Sequence, residues 1–163
     1  MAHNMVKWKG WPVVVHSVRT AVAAVTSFLV AQLFHLPESY WAPVTTLVIT
    51  QSSLGAALAI SGQRLIGTAL GAVVGAIVAS YFAPSPLVFG VSIFILGILS
   101  AAADSHRSAY RFAGVTLTIV LLVTRAAPAW GVAFHRFAEV TIGIAVALIL
   151  AIVWPEADEP DKS

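Results

Sequence analysis

Apolar residues fill this chain in blocks longer than one face of a soluble helix requires, and charged residues mark where the blocks stop. Residues 20–37, 39–63 and 65–103 contain no Asp, Glu, Lys or Arg. A bilayer core about 30 Å thick needs roughly 20 apolar residues as helix, because lipid offers the backbone no hydrogen-bond partner. On that measure residues 13–36 form a first span with Arg19 inside it, and residues 41–60 a second. Residues 65–103 are too long for one helix, and Pro84-Ser85-Pro86 separates a third from a fourth. Residues 110–125 form a short fifth span if Arg111 and Arg125 extend to opposite interfaces. Residues 137–154 form the sixth, with Glu139 near one end. The expected fold is an all-α membrane protein: six transmembrane helices within residues 13–155, an N-terminal segment at 1–12 and an acidic tail at 156–163.

Composition removes the soluble alternatives. Of 163 residues 59% are hydrophobic and 10% charged, with a mean hydropathy of +0.91, where soluble domains carry about 25% charged residues. So few charges cannot cover a soluble surface, which excludes a soluble enzyme, a nucleic-acid binder and a disordered chain. The net charge of +2 is too small to imply a nucleic-acid partner; the basic residues report topology instead. Lys7, Lys9, Arg19, Arg64, Arg107, Arg111 and Lys162 fall on one side of the expected spans, and Arg125 and Arg136 on the other. The positive-inside bias then puts both termini in the cytoplasm. Trp8, Trp11, Tyr40, Trp41, Trp130 and Trp154 fall near span ends, where amphipathic rings favour the headgroup level. Arg19 interrupts the first apolar run, so that run is expected to be a retained helix rather than a cleaved signal. Without cysteine there is no disulfide, thiol nucleophile or Cys-ligated zinc.

The two halves resemble each other at an offset near 71. Tyr40 matches Tyr110, Thr45 matches Thr116, Arg64 matches Arg136, Gly71 matches Gly143 and Pro84 matches Pro155. Three helices per copy is an odd number, so the second copy starts on the opposite face. The result is an inverted repeat, a plan that places a transport pathway where the halves meet.

Several residues could carry chemistry. Gly67, Gly71 and Gly75 recur every fourth position and are expected to let helix backbones approach closely. Arg19 and Arg64, near the cytoplasmic ends of their spans, could line a vestibule that attracts anions; Arg136 would stand near the outer end. Snorkelling to the interface is the competing reading. Glu139, three residues after Arg136 and on the same helix face, reads as its ion-pair partner or as a proton-coupling carboxylate. His16, His35 and His135 read as interfacial polar residues. Thr45, Thr46, Thr116 and Thr118 could donate to a carboxylate substrate, although membrane threonines commonly satisfy their own backbone. Asp104-Ser105-His106 holds triad residue types, but adjacent loop positions cannot build a relay. No metal-binding His-Glu-x-x-His motif or phosphate loop occurs, so neither an enzyme, a metal site nor a cofactor is expected.

Two segments carry a family resemblance: Tyr40-Trp41-Ala42-Pro43-Val44-Thr45-Thr46-Leu47-Val48-Ile49 and Arg64-Leu65-Ile66-Gly67-Thr68-Ala69-Leu70-Gly71. With Arg19 and the Arg136-x6-Gly143 spacing, the chain resembles the fusaric acid resistance protein-like family over residues 14–155. That family includes aromatic acid exporters and is related to plant aluminium-activated malate transporters. The resemblance implies a six-helix bacterial inner-membrane protein handling organic or aromatic anions, completed by self-association into a homo-oligomer, with a periplasmic adaptor subunit as partner if it exports. A non-transporting scaffold that assembles into a larger complex is the rival expectation.

Overall fold

A computed structural model describes residues 10–50, 54–102, 107–123 and 128–154. Lys7, Lys9, Asp104-Ser105-His106, Arg125, Lys162 and the acidic tail lie outside the described residues. Six helices follow one another: α1 (Gly10–Leu33), α2 (Trp41–Ile49), α3 (Leu54–Tyr81), α4 (Pro86–Ala102), α5 (Arg107–Thr118) and α6 (Ala129–Val153). Local chemistry sets several ends. α1 closes in a Schellman turn, with Leu36 N–H on the Ala31 carbonyl and His35 N–H on that of Gln32. His35 fills the left-handed position (φ 52°) that glycine usually takes. Pro86 opens α4 where its missing N–H costs nothing, and the Ser85 hydroxyl accepts the Val88 N–H at 3.2 Å.

α1, α3 and α6 are long and apolar enough to cross a bilayer; α4 and α5 are shorter apolar helices. α2 spans only nine residues, so the second helix stops well before residue 60 and residues 54–60 open α3 instead. α2 ends at Ile49 with Thr50 as its C-cap, a boundary that a search for charges alone does not register. α6 likewise begins at Ala129, eight residues before position 137. α5 runs on into π-helical turns over Ile119–Val123. The wider turn brings three consecutive residues, Ile119, Val120 and Leu121, into the interior.

α3 lies at the centre, packed on α5 and α6; α2 packs on α6, α1 on both α2 and α6, and α4 on α5 and α3. α3 and α6 run antiparallel. Ala57, near the start of α3, clusters with Val140, Ile144 and Ala147, whereas Ala72 and Ala76 cluster with Val132 and Ala133. α3 and α5 run parallel and touch through glycine: Gly67 lies against the Ala109 carbonyl, Gly71 against that of Ala113, and Gly75 against Leu117 and Val120. α2 and α6 meet in the same way, with Gly143 against Ala42 and Thr45. Lipid provides no hydrophobic drive between helices, so this close backbone approach supplies cohesion through dispersion.

A methyl group at Gly71 or Gly143 would collide with backbone or with Thr45, whereas one at Gly62 or Gly90 would meet open space. Gly71→Ala and Gly143→Ala should each cost about 1–3 kcal/mol of overpacking. Gly62→Ala and Gly90→Ala should be neutral or gain up to about 1 kcal/mol in helix propensity. Unfolding of the detergent-solubilised protein measures the contrast.

Candidate functional site

Three arginines are buried, Arg19 on α1, Arg64 on α3 and Arg136 on α6, and the last two stack on aromatic rings. Arg64 is ten residues into α3 and 8% exposed; Arg136 is seven residues into α6 and 3% exposed. At 1.5 Å per residue they lie about 5 and 8 Å from the midpoints of their helices. Neither is therefore an end-flanking cation that snorkels, as charge-delimited spans suggest. Each leans on an aromatic ring from another helix. The Arg64 guanidinium carbon stands 4.8 Å from the centroid of Phe112 on α5, and that of Arg136 stands 4.1 Å from Trp41 on α2. Such stacks stabilise by about 2 kcal/mol when desolvated.

Charge compensation differs sharply between the two. Arg136 donates through Nη2 to Glu38 Oε2 and through Nη1 to Glu139 Oε2 at 3.3 Å. The Glu38 backbone N–H donates to Glu139 Oε1 at 3.2 Å, tying the connection between α1 and α2 onto α6. Glu139 is fully buried, so the ion pair expected from the sequence forms, extended by a second carboxylate. Arg64 has no carboxylate partner among the described residues. Its Nη2 donates to Thr45 Oγ1 at 3.1 Å, and its Nε, like that of Arg136, is buried without an acceptor. Ser61, one turn earlier on α3 and 5% exposed, also has an unpartnered hydroxyl.

Other anticipated residues fall around this pair. The Thr45 and Thr116 hydroxyls donate to the carbonyls of Trp41 and Phe112, each at 3.1 Å, so both protons stay on the backbone of the residue whose ring bears an arginine. Thr46 bridges helices, its one hydroxyl proton shared between the Ala42 and Gly143 carbonyls at 3.1 Å each. Arg19 is buried on α1, the helix packed on α2 and α6 rather than on the Arg64 helix. An apolar hollow of about 190 Å³ between α3 and α6, lined by Ala69, Ala72, Val73, Trp130, Ala133, Phe134 and Phe137, offers no charged side chain to an anion. Among the described residues no cluster of potential ligands could hold a metal ion.

Sequence reasoning passed over Glu38, Phe112 and Ser61, and took Trp41 for an interfacial ring. One signal was available: Glu38 is the only acidic residue in the first 103 positions. A lone carboxylate between two apolar blocks needs a cation.

Removing Arg136 would strand two carboxylates. Arg136→Leu should therefore destabilise by about 3–5 kcal/mol, and adding Glu38→Leu and Glu139→Leu should restore part of that loss. Denaturation of the single and triple variants in detergent compares them.

The comparisons with known proteins agree with this architecture. The family model described as fusaric acid resistance protein-like matches residues 23–150. The Escherichia coli K12 inner membrane protein YeeA is 30% identical over 152 residues, covering 88% of this chain and 41% of that protein. The uncharacterized transporter YdhK of the same organism is 26% identical over 153 residues, covering 88% and 23%. A putative arylamide transporter of Mycobacterium tuberculosis H37Rv is 27% identical over 147 residues, covering 88% and 40%. The chain thus spans between about a quarter and two fifths of the length of these relatives. No solved structure matches it. An all-helical chain with bilayer-length apolar helices, matched by this family model over most of its length, belongs to the fusaric acid resistance protein-like family.

Proposed function

We propose that this chain is the membrane unit of an organic-anion transporter, made of two inverted three-helix repeats with the pathway where α3 and α6 meet. The observation that carries the reading is the burial of guanidinium groups near the middle of two bilayer-length helices. An arginine there costs about 3 kcal/mol on insertion scales, and such residues characteristically face a substrate path or a partner. The printed names of YdhK and the arylamide protein as transporters support the reading. Aromatic carboxylates are the substrate class that the family resemblance favours, and Arg19 and Arg64 are the cations that would draw them in.

The packing supports the repeat. If α1 is exchanged with α4, α2 with α5 and α3 with α6, the main neighbour pairs map onto one another: α1–α2 onto α4–α5, α2–α6 onto α5–α3 and α1–α6 onto α4–α3, with α3–α6 mapping onto itself. Trp41 and Phe112 are 71 residues apart, and the arginines above them are 72 apart. Ala42 and Ala113, again 71 apart, meet Gly143 and Gly71, again 72 apart. In this reading all six helices cross the bacterial inner membrane with both termini cytoplasmic, and the protein self-associates.

Flux of a radiolabelled aromatic carboxylate into proteoliposomes tests the function. The wild-type protein should show saturable uptake that Arg19→Ala and Arg64→Ala each reduce by about tenfold or more; unchanged flux in both variants removes their assigned role. A folded chain that is inert alone but stably bound to a larger protein supports the scaffold reading instead. Topology can be read separately because the chain has no cysteine. An impermeant maleimide applied to intact spheroplasts should label Phe82→Cys and spare Ser105→Cys; the reverse pattern inverts the orientation.

A further inference from the structure

The two stacked arginines share an aromatic ring and an unpartnered Nε and differ in the charge around them. On α6, Arg136 lies over Trp41 and holds the carboxylates of Glu38 and Glu139. On α3, Arg64 lies over Phe112 and holds only the neutral Thr45 hydroxyl. At the offsets that relate the arginines and rings, Glu38 and Glu139 correspond to Ala109 and Gly67. Those two residues carry no charge, and they press together where α3 meets α5. The chain has therefore closed one approach to Arg64 with backbone, and among the described residues no carboxylate balances its charge. Burying a lone charge costs several kcal/mol, which a counter-ion offsets. The unused donors lie on another edge of the guanidinium: Nε has no acceptor, and the Ser61 hydroxyl one turn away has none either.

We propose that Arg64 is the binding point for the carboxylate of a monoanionic ligand, received on its Nε edge together with the Ser61 hydroxyl. The Arg136 cluster is the same stack with its carboxylates built into the chain. One guanidinium balances one negative charge, so a dianion would bring a second, uncompensated charge into the bundle. Phe112 and Thr45 fix the plane of the guanidinium and leave its Nε–H to meet a carboxylate. That the bound species is also the transported one rests on the proposed function; the binding site itself does not.

Equilibrium binding of benzoate to the detergent-purified chain, by calorimetry, tests this without requiring transport. Saturable binding at one benzoate per chain is expected, with neutral benzamide and dianionic phthalate each weaker by about tenfold or more. Arg64→Gln should weaken benzoate by about tenfold or more, Arg64→Lys by less because the charge remains without the fork, and Ser61→Ala by about three- to tenfold. If Arg64→Gln does not stay monodisperse, Arg64→Lys and Ser61→Ala decide. Benzamide binding as tightly as benzoate, wild-type affinity in both of those variants, or no saturable binding below about 10 mM benzoate overturns the proposal. Binding that follows this pattern without flux in proteoliposomes removes the transporter reading and leaves the site. Flux with no Arg64-dependent binding removes the site and leaves the transporter.

Discussion

A guanidinium held inside an apolar bundle must find a charge, a ring or a hydrogen-bond acceptor within reach, and the packing of α2, α3, α5 and α6 is arranged around two such groups, Arg64 and Arg136. α3 and α6 each carry an arginine and, seven residues later, a glycine: Arg64 with Gly71 and Arg136 with Gly143. Seven residues are close to two helical turns, so both features lie on one face. The partner helix answers with an aromatic ring followed at once by alanine, Phe112-Ala113 on α5 and Trp41-Ala42 on α2. The ring takes the guanidinium and the alanine backbone meets the glycine. Without the glycine the helices would stand farther apart and the ring would lose its place under the cation. Cohesion and charge compensation are thus one contact, made twice.

What differs between the copies is where the negative charge comes from. Arg136 takes it from Glu139 on its own helix and from Glu38 on the connection after α1, so this cluster also fastens that connection to α6. At Arg64 the corresponding space is occupied by the contact of Gly67 with Ala109. A tight helix crossing and a built-in carboxylate compete for the same volume. One half of the chain has taken cohesion there, the other a salt link. This divergence distinguishes a closed ionic joint from a cation that can accept an external partner.

The helical, lipid-soluble character of the chain was legible because it is a property of long averages: unbroken apolar blocks, few charges and a proline break before α4. The glycine ladder on α3 was legible for a similar reason, since a four-residue spacing maps onto one helix face whatever surrounds it. Helix ends were less so. Charges were taken as boundaries for Arg64 and Arg136, yet a buried arginine with a ring and an acceptor sits comfortably within a helix, so α3 and α6 start earlier than their charges suggest. The end of α2 lies at Ile49, where no charge marks it. Glu38 and Phe112 could not be placed from local pattern because their partners are 98 and 48 residues away. Offset matching alone, extended to the residues next to Arg64 and Arg136, could have suggested that the rings at 41 and 112 were equivalent.

The distribution of side chains follows from lipid as the solvent. Large apolar residues stand outward on α1 (Val18, Val22, Val25, Leu29) and on α4 (Leu87, Val91, Phe94, Ile98), while Arg19, Arg64, Arg136 and Glu139 are among the most buried side chains. In water this arrangement would expose a contiguous apolar surface and desolvate its charges for no gain. In a bilayer the outer residues meet chains as apolar as themselves, so they contribute little to holding helices together. Cohesion then falls to the small-residue crossings, the hydroxyl bridge from Thr46 and the arginine joints, which are also the features that any solute passing through the bundle would meet. Stability and the proposed function draw on the same few side chains. A substitution that leaves Arg136 joined to its carboxylates while altering only Arg64 or Ser61 is therefore the kind that can separate the two.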